Sequence, residues 1–177
     1  MELLVKLERM IVQWLHEVPH LPGDVRKWLS DNVWWIAIVG AVATGVGILG
    51  LLATLFSNLS VLNSPFVSYY ASTTFVALAT VKTVVSLVFT ALGCILLALA
   101  VTPLKEKQKK GWVLIFGSWL VSAVAVVVGA VMTLNPLSFL TDIIFGALAL
   151  LVGLYLIFEI HGQFAHVEKS KGVKKNA

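Results

Sequence analysis

Few side chains in this sequence are suited to chemistry, and fewer are spaced to act together. Lys82 interrupts a run from Ala71 to Val101 that is otherwise apolar or hydroxylic, and Asp142 opens a second apolar run. If the two lie at one depth, they can form an ion pair or line a polar mouth. His16 and His20 have the i, i+4 spacing of a metal site, but Pro19 breaks the helix that would bring the rings together. Glu159, Gln163 and His166 fall on one helical face, which suits polar residues at a membrane interface or, as the sharper alternative, a metal or proton-relay set. No P-loop, dinucleotide fingerprint, nucleophile elbow or Cys-x-x-Cys pair occurs, and the single cysteine, Cys94, has no partner within the chain. The sequence therefore predicts no catalytic residues, no metal site, no cofactor and no enzymatic activity.

The elements that must position Lys82 and Asp142 are of one kind. Hydrophobic residues make up 59% of the 177 and charged residues 12%, which places the chain outside soluble domains and among integral membrane proteins. About 20 apolar residues are needed to cross roughly 30 Å of hydrocarbon as a helix. Four stretches reach that length: Val33 to Phe56, Thr83 to Thr102, Trp112 to Leu134, and Asp142 to Ile160. Lone strands would leave their backbone unpaired in lipid, so helices are required. Breaks are expected at Asn63-Ser64-Pro65, Pro103, Gly111 and Asn135-Pro136. The fold class is all-α: a polytopic membrane protein whose residues 33–161 form a four-transmembrane-helix bundle, with a cytoplasmic amphipathic interfacial region at 1–32 and a basic cytoplasmic tail at 162–177. Charges scattered through the first 32 residues argue against a cleavable signal peptide, so the first span is expected to serve as its own insertion signal.

Orientation follows from the basic residues. Twelve of the 13 Lys and Arg lie in the N-terminal segment, the 103–111 loop or the tail, and the other two loops hold none. By the positive-inside rule both termini are cytoplasmic, and the net charge of +4 reads as topology and attraction to anionic headgroups, with no need of a nucleic-acid partner. The exception, Lys82, lies 19 residues before Val101, which is about 29 Å along a helix and hence near the outer boundary. Residues 66–81 would then form an outer interfacial helix or a protruding helical extension. Asp142 precedes the inner end of its own span by a similar length, so the two charges are expected at one outer depth. Either Lys82 snorkels to water while Asp142 caps its helix beside Thr141, or the pair forms a polar vestibule on the outer side.

Both charges are followed 11 positions later by a glycine, Gly93 and Gly153, and the preceding spans share W-I-A-I-V-G (35–40) and W-V-L-I-F-G (112–117). The pattern suggests two tandem helical hairpins, related by an axis along the membrane normal. Close packing is expected along Ala37, Ala41 and Gly45, along Ala43 and Gly47, at Ala125 and Gly129, and at Ala149 and Gly153, within one bundle or between copies.

At the N-terminus, Leu7, Met10 and Trp14 lead the apolar face of an amphipathic helix whose opposite face carries Lys6, Arg9 and Gln13. That face would lie on lipid or dock on a partner, as would the polybasic loop of Lys105, Lys107, Lys109 and Lys110. After Pro19 and Pro22-Gly23, Asp24 would cap a short second helix, and Ser30-Asp31-Asn32 would lead into the first span. Asn58-Leu59-Ser60 fits the N-glycosylation pattern on an outer loop, and the terminal Lys174-Lys175-Asn176-Ala177 resembles a dilysine retrieval signal, which matters only in a eukaryote.

Residues Lys105 to Gly162, a lysine-rich loop running into G-W-V-L-I-F and a last span ending Y-L-I-F-E-I, resemble small uncharacterised four-helix bacterial membrane proteins. The resemblance covers the C-terminal half, implies the bacterial inner membrane, and carries over no active site. Two functions stay open. One is a non-catalytic accessory, scaffold or assembly subunit that meets membrane lipid, another membrane protein or a second copy of itself. The other is a small-solute or ion pathway formed by an oligomer, since the middle of each span holds nothing charged and a path through one bundle is disfavoured.

Overall fold

The computed structural model describes residues 10–11, 19–64, 73–133 and 136–164. Among these residues all regular structure is helical. Four long helices make up nearly all of it: α1 Gly23–Leu62, α2 Thr73–Lys105, α3 Lys109–Val131 and α4 Pro136–Glu159, with residues 10–11 and 161–164 helical besides. All four are long and apolar enough to cross a membrane. Consecutive helices pack in an up-and-down bundle, α1 on α2, α2 on α3 and α3 on α4, while α1 and α4 hardly touch along their length. The start of α1, the α2–α3 loop and the end of α4 share one end, here called the basic end. Asn63, Lys82, Thr133 and Asp142 share the far end.

Packing is tightest at the basic end, where Ala37, Ala100, Leu104, Trp112, Phe116, Ile160 and Phe164 form the core. Trp112 stacks on Phe116 at 5.2 Å and meets Phe158 edge-on at 5.5 Å, the arrangements that ring quadrupoles favour. Two indoles fasten α3 to α4: Trp112 Nε1 donates to the Ile157 carbonyl and Trp119 Nε1 to the Leu150 carbonyl, both at 2.8 Å. An indole N–H away from water must find such an acceptor, so these bonds set the rotation of α4.

A tight turn joins α2 to α3. The Lys107 N–H bonds back to Leu104 O at 2.9 Å and the Gln108 N–H to Pro103 O at 2.8 Å, the paired bonds that satisfy a helix's last carbonyls. The residue that reverses the chain, Lys107, has φ 53°, a left-handed conformation that glycine usually supplies. Gly111 follows it at a close crossing, where a Cβ would lie 2.6 Å from the Leu104 nitrogen and 2.8 Å from the Pro103 carbonyl carbon.

Several sequence expectations are corrected. No break separates a short helix at Asp24 from the first span: α1 runs unbroken from Gly23 through Ser30-Asp31-Asn32, because Ser30 Oγ and Asn32 Nδ2 bond carbonyls of their own helix instead of starting a new one. Pro103 lies inside α2, which ends two residues later, so the proline removes one bond from a turn that is already finishing. Asp142 does not cap α4, which starts at Pro136; proline suits a first turn because its missing N–H is not needed there. Asn58 is on a helix and not in a loop, with Nδ2 3.5 Å from Thr83 Oγ1. The stretch 73–81 is continuous with the rest of α2, as in the helical-extension alternative, and is not a separate helix. Of the two hairpins, Gly40 and Gly117 occupy matched positions, yet both face α2, meeting Leu97 and Leu96.

Candidate functional site

Two polar clusters stand out, one at each end of the bundle. At the far end, the last turn of α3 and the second turn of α4 converge on α2. Lys82 Nζ donates to Thr133 Oγ1 at 2.6 Å and lies 3.7 Å from Asp142 Oδ2. Thr133 Oγ1 is 2.9 Å from the Gly129 carbonyl and 3.2 Å from Asp142 Oδ2, so its single proton serves one of the two. The threonine thus bridges the charges. Lys82 is 35% exposed and Asp142 47%, so the protein buries neither head. A cleft of about 350 Å³ beside them is floored by Ala125, Gly129 and Gly146.

At the basic end a carboxylate is buried. The Glu159 side chain is 3% exposed; its Oε1 accepts from His20 Nδ1 at 2.8 Å, and its Oε2 lies 3.2 Å from Arg26 Nε. Arg26 Nε directs its proton at Leu21 O, 3.1 Å away, and Oε2 has no hydrogen bond. The Arg26 contact is therefore electrostatic. One turn earlier, Tyr155 Oη donates to Pro19 O at 2.8 Å. Together these contacts fasten Pro19–Arg26 across the end of α4, beside the core in which Val33 and Ala37 of α1 cluster with Ile160. The sequence reading put Glu159 at a polar interface with Gln163 and His166; instead it is sunk in the bundle, Gln163 is exposed, and His166 is outside the described residues. The clue available in sequence was a lone carboxylate within the F-E-I run at the end of a span.

The lysines of the α2–α3 loop are not equivalent. Lys105 Nζ sits 5.2 Å from the Trp34 ring centroid, Lys107 pairs with Asp31, Lys109 is half-buried and Lys110 is exposed. Of the small residues, Ala37 is buried, Gly153 fits against Trp119, and Ala41 accepts from Cys94 Sγ at 3.5 Å through its carbonyl. Gly45 meets nothing within 4 Å and Ala149 is exposed, so those two positions are not used within this chain. Met10 is helical and 54% exposed, and Ile11 packs on the core; Leu7, Trp14 and His16 lie outside the described residues, as does most of the stretch expected to form an amphipathic helix. Among the described residues no group of three His, Cys, Asp or Glu is placed to hold a metal ion.

The architecture defines a class: a bundle of four potentially membrane-spanning helices with an ionic cluster at each end. No family model, curated protein or solved structure matches the chain.

Proposed function

We propose that this is a multi-pass protein of the bacterial inner membrane with both termini cytoplasmic, and that it acts without catalysis as an accessory, scaffold or assembly subunit of a membrane complex. One observation carries the reading: Arg26, Lys27 and the Lys105–Lys110 loop gather at one end of the bundle, while no described residue between the two ends bears a charge. Asp24, Asp31, Glu106 and Glu159 offset part of that charge, and the positive remainder suits anionic headgroups or an acidic partner surface. The amphipathic helix around Leu7, Met10 and Trp14 would lie on the same interface.

The test is purification from native membranes in mild detergent. A second membrane protein is expected in fixed stoichiometry. It should be lost when Lys105, Lys107, Lys109 and Lys110 become Gln, or when residues 1–20 are removed, although the chain still inserts. Solute flux by the purified protein alone in vesicles, abolished by Lys82→Ala, would reject this reading. It would favour the second one, a small-solute or ion pathway in an oligomer, which the cleft beside Lys82 and Asp142 supports.

A further inference from the structure

Charge is missing from the middle of the bundle, but hydroxyl groups are not. Where α1, α2 and α3 meet, a cavity of about 270 Å³ is lined by Thr44, Thr90, Ser118 and Ser122, and it shares the wall residues Ala125 and Val126 with the cleft beside Lys82 and Asp142. Ser122 lies nine residues before Val131, where α3 ends, or about 14 Å deeper. All four hydroxyls spend their protons on helix carbonyls: Thr44 on Gly40 at 2.6 Å, Thr90 on Ser86 at 2.7 Å, Ser122 on Ser118 at 3.1 Å and Ser118 on Gly93 at 3.4 Å. What each oxygen can still offer is lone pairs. Towards the basic end, Leu97 separates this cavity from another of about 250 Å³, which is walled by apolar residues such as Val33, Ala37, Ile115 and Ile157. Arg26 is on the same face of α1 as Val33, Ala37 and Thr44, and it meets Glu159 at the basic end.

We infer that the far half of the bundle is a water-filled vestibule that opens beside Lys82 and Asp142, ends at Leu97 and Ile115, and admits small hydrogen-bond donors, water and a primary ammonium ion, to mid-height. The inference rests on the spanning placement proposed above and deepens the pathway reading by locating the route inside one chain. A cavity of this size exceeds many times the roughly 10–15 Å³ that one water needs, and although Phe89, Leu97, Ala125 and Val126 make much of its wall apolar, its four hydroxyl oxygens supply the partners that keep water in place. With their protons turned to helix carbonyls, the hydroxyls present lone pairs that favour donors over anions, while Lys82 and Asp142 together add no net charge at the mouth. The apolar section beyond Leu97 offers water nothing to bind.

Cysteine accessibility in sealed vesicles tests this. In a Cys94→Ala background, Ser122→Cys and Thr90→Cys report on the cavity, Val124→Cys on the lipid-facing side of α3 at a similar height (50% exposed), and Asn63→Cys on the far end. The probes are aminoethyl and sulfonatoethyl methanethiosulfonate, with a thiol scavenger in the opposite compartment. Because the thiolate is the reacting form and needs water, Ser122→Cys and Thr90→Cys should react at least about tenfold faster than Val124→Cys. They should do so from the side that labels Asn63→Cys, and should prefer the ammonium reagent relative to Asn63→Cys. Rates no faster than Val124→Cys for both, or access from the opposite side alone, would overturn the vestibule. Labelling of Asn63→Cys from the cytoplasm would overturn the orientation and leave the vestibule standing. Labelling without solute flux would reject the pathway alone.

Discussion

Arg26→Ala should destabilise the bundle by about 2 kcal/mol, more than a surface ion pair can account for. Arg26 Nε and Glu159 Oε2 are 3.2 Å apart, and at an effective dielectric of about 20 two unit charges at that distance attract by roughly 5 kcal/mol before desolvation. The carboxylate is 3% exposed, and its burial costs several kcal/mol of that attraction. Arg26 is 37% exposed, so water screens its side of the pair and the loss stays below the roughly 3–5 kcal/mol of a fully buried one. His20 remains hydrogen-bonded to Oε1 in the variant, which limits the loss further. Reversible unfolding in mixed detergent micelles of Arg26→Ala, Glu159→Ala and the double variant isolates the coupling, expected at about 1–2 kcal/mol. A coupling below about 0.5 kcal/mol would mean that the carboxylate is hydrated and that the cluster does not hold Pro19–Arg26 to α4.

At the far end the same experiment on Lys82→Ala and Asp142→Ala should give a coupling of no more than about 1 kcal/mol, because both groups are over a third exposed or nearly so; several kcal/mol would place the pair in a dry core. Gly111→Ala should cost more than about 2 kcal/mol in the same unfolding assay, since the added methyl meets backbone that cannot yield. Gly47→Ala, with nothing within 4 Å, should be neutral or gain up to about 1 kcal/mol. Lys107→Gly should raise stability by about 1 kcal/mol, the relief of a left-handed non-glycine residue less the exposed Asp31 pair; a fall would show that the ion pair outweighs the strain.

Depth could be read by counting, because a helix advances a set distance per residue whatever surrounds it. That is why Lys82 and Asp142, 60 positions apart in sequence, could be expected at one height before any packing was seen. The ends of the helices were less legible. Polar residues such as Ser30, Asp31 and Asn32 look like a break in one dimension, yet a helix tolerates them when their side chains bond its own carbonyls or face outward. Asp142 lies inside α4 for a related reason: Leu137 to Thr141 precede the long apolar run, but after Pro136 they are an adequate first turn.

The sequence by itself determined that four apolar helices exist, and that Arg26, Lys27 and the lysines from 105 to 110 fall at one end of them. Backbone hydrogen bonding within a helix and the burial of apolar side chains are local, additive properties of a run of residues, so they survive without knowledge of the neighbours. Tertiary structure alone decided which faces meet. His20 and Glu159 are 139 positions apart, and Thr44, Thr90 and Ser122 come from three helices. Their meeting depends on the rotation of each helix about its axis, and a 100° step per residue turns a small error in rotation into a different set of neighbours. That rotation is set by contacts between helices, such as Trp112 and Trp119 on the carbonyls of α4 and Gly111 against Leu104, which no single run of sequence contains.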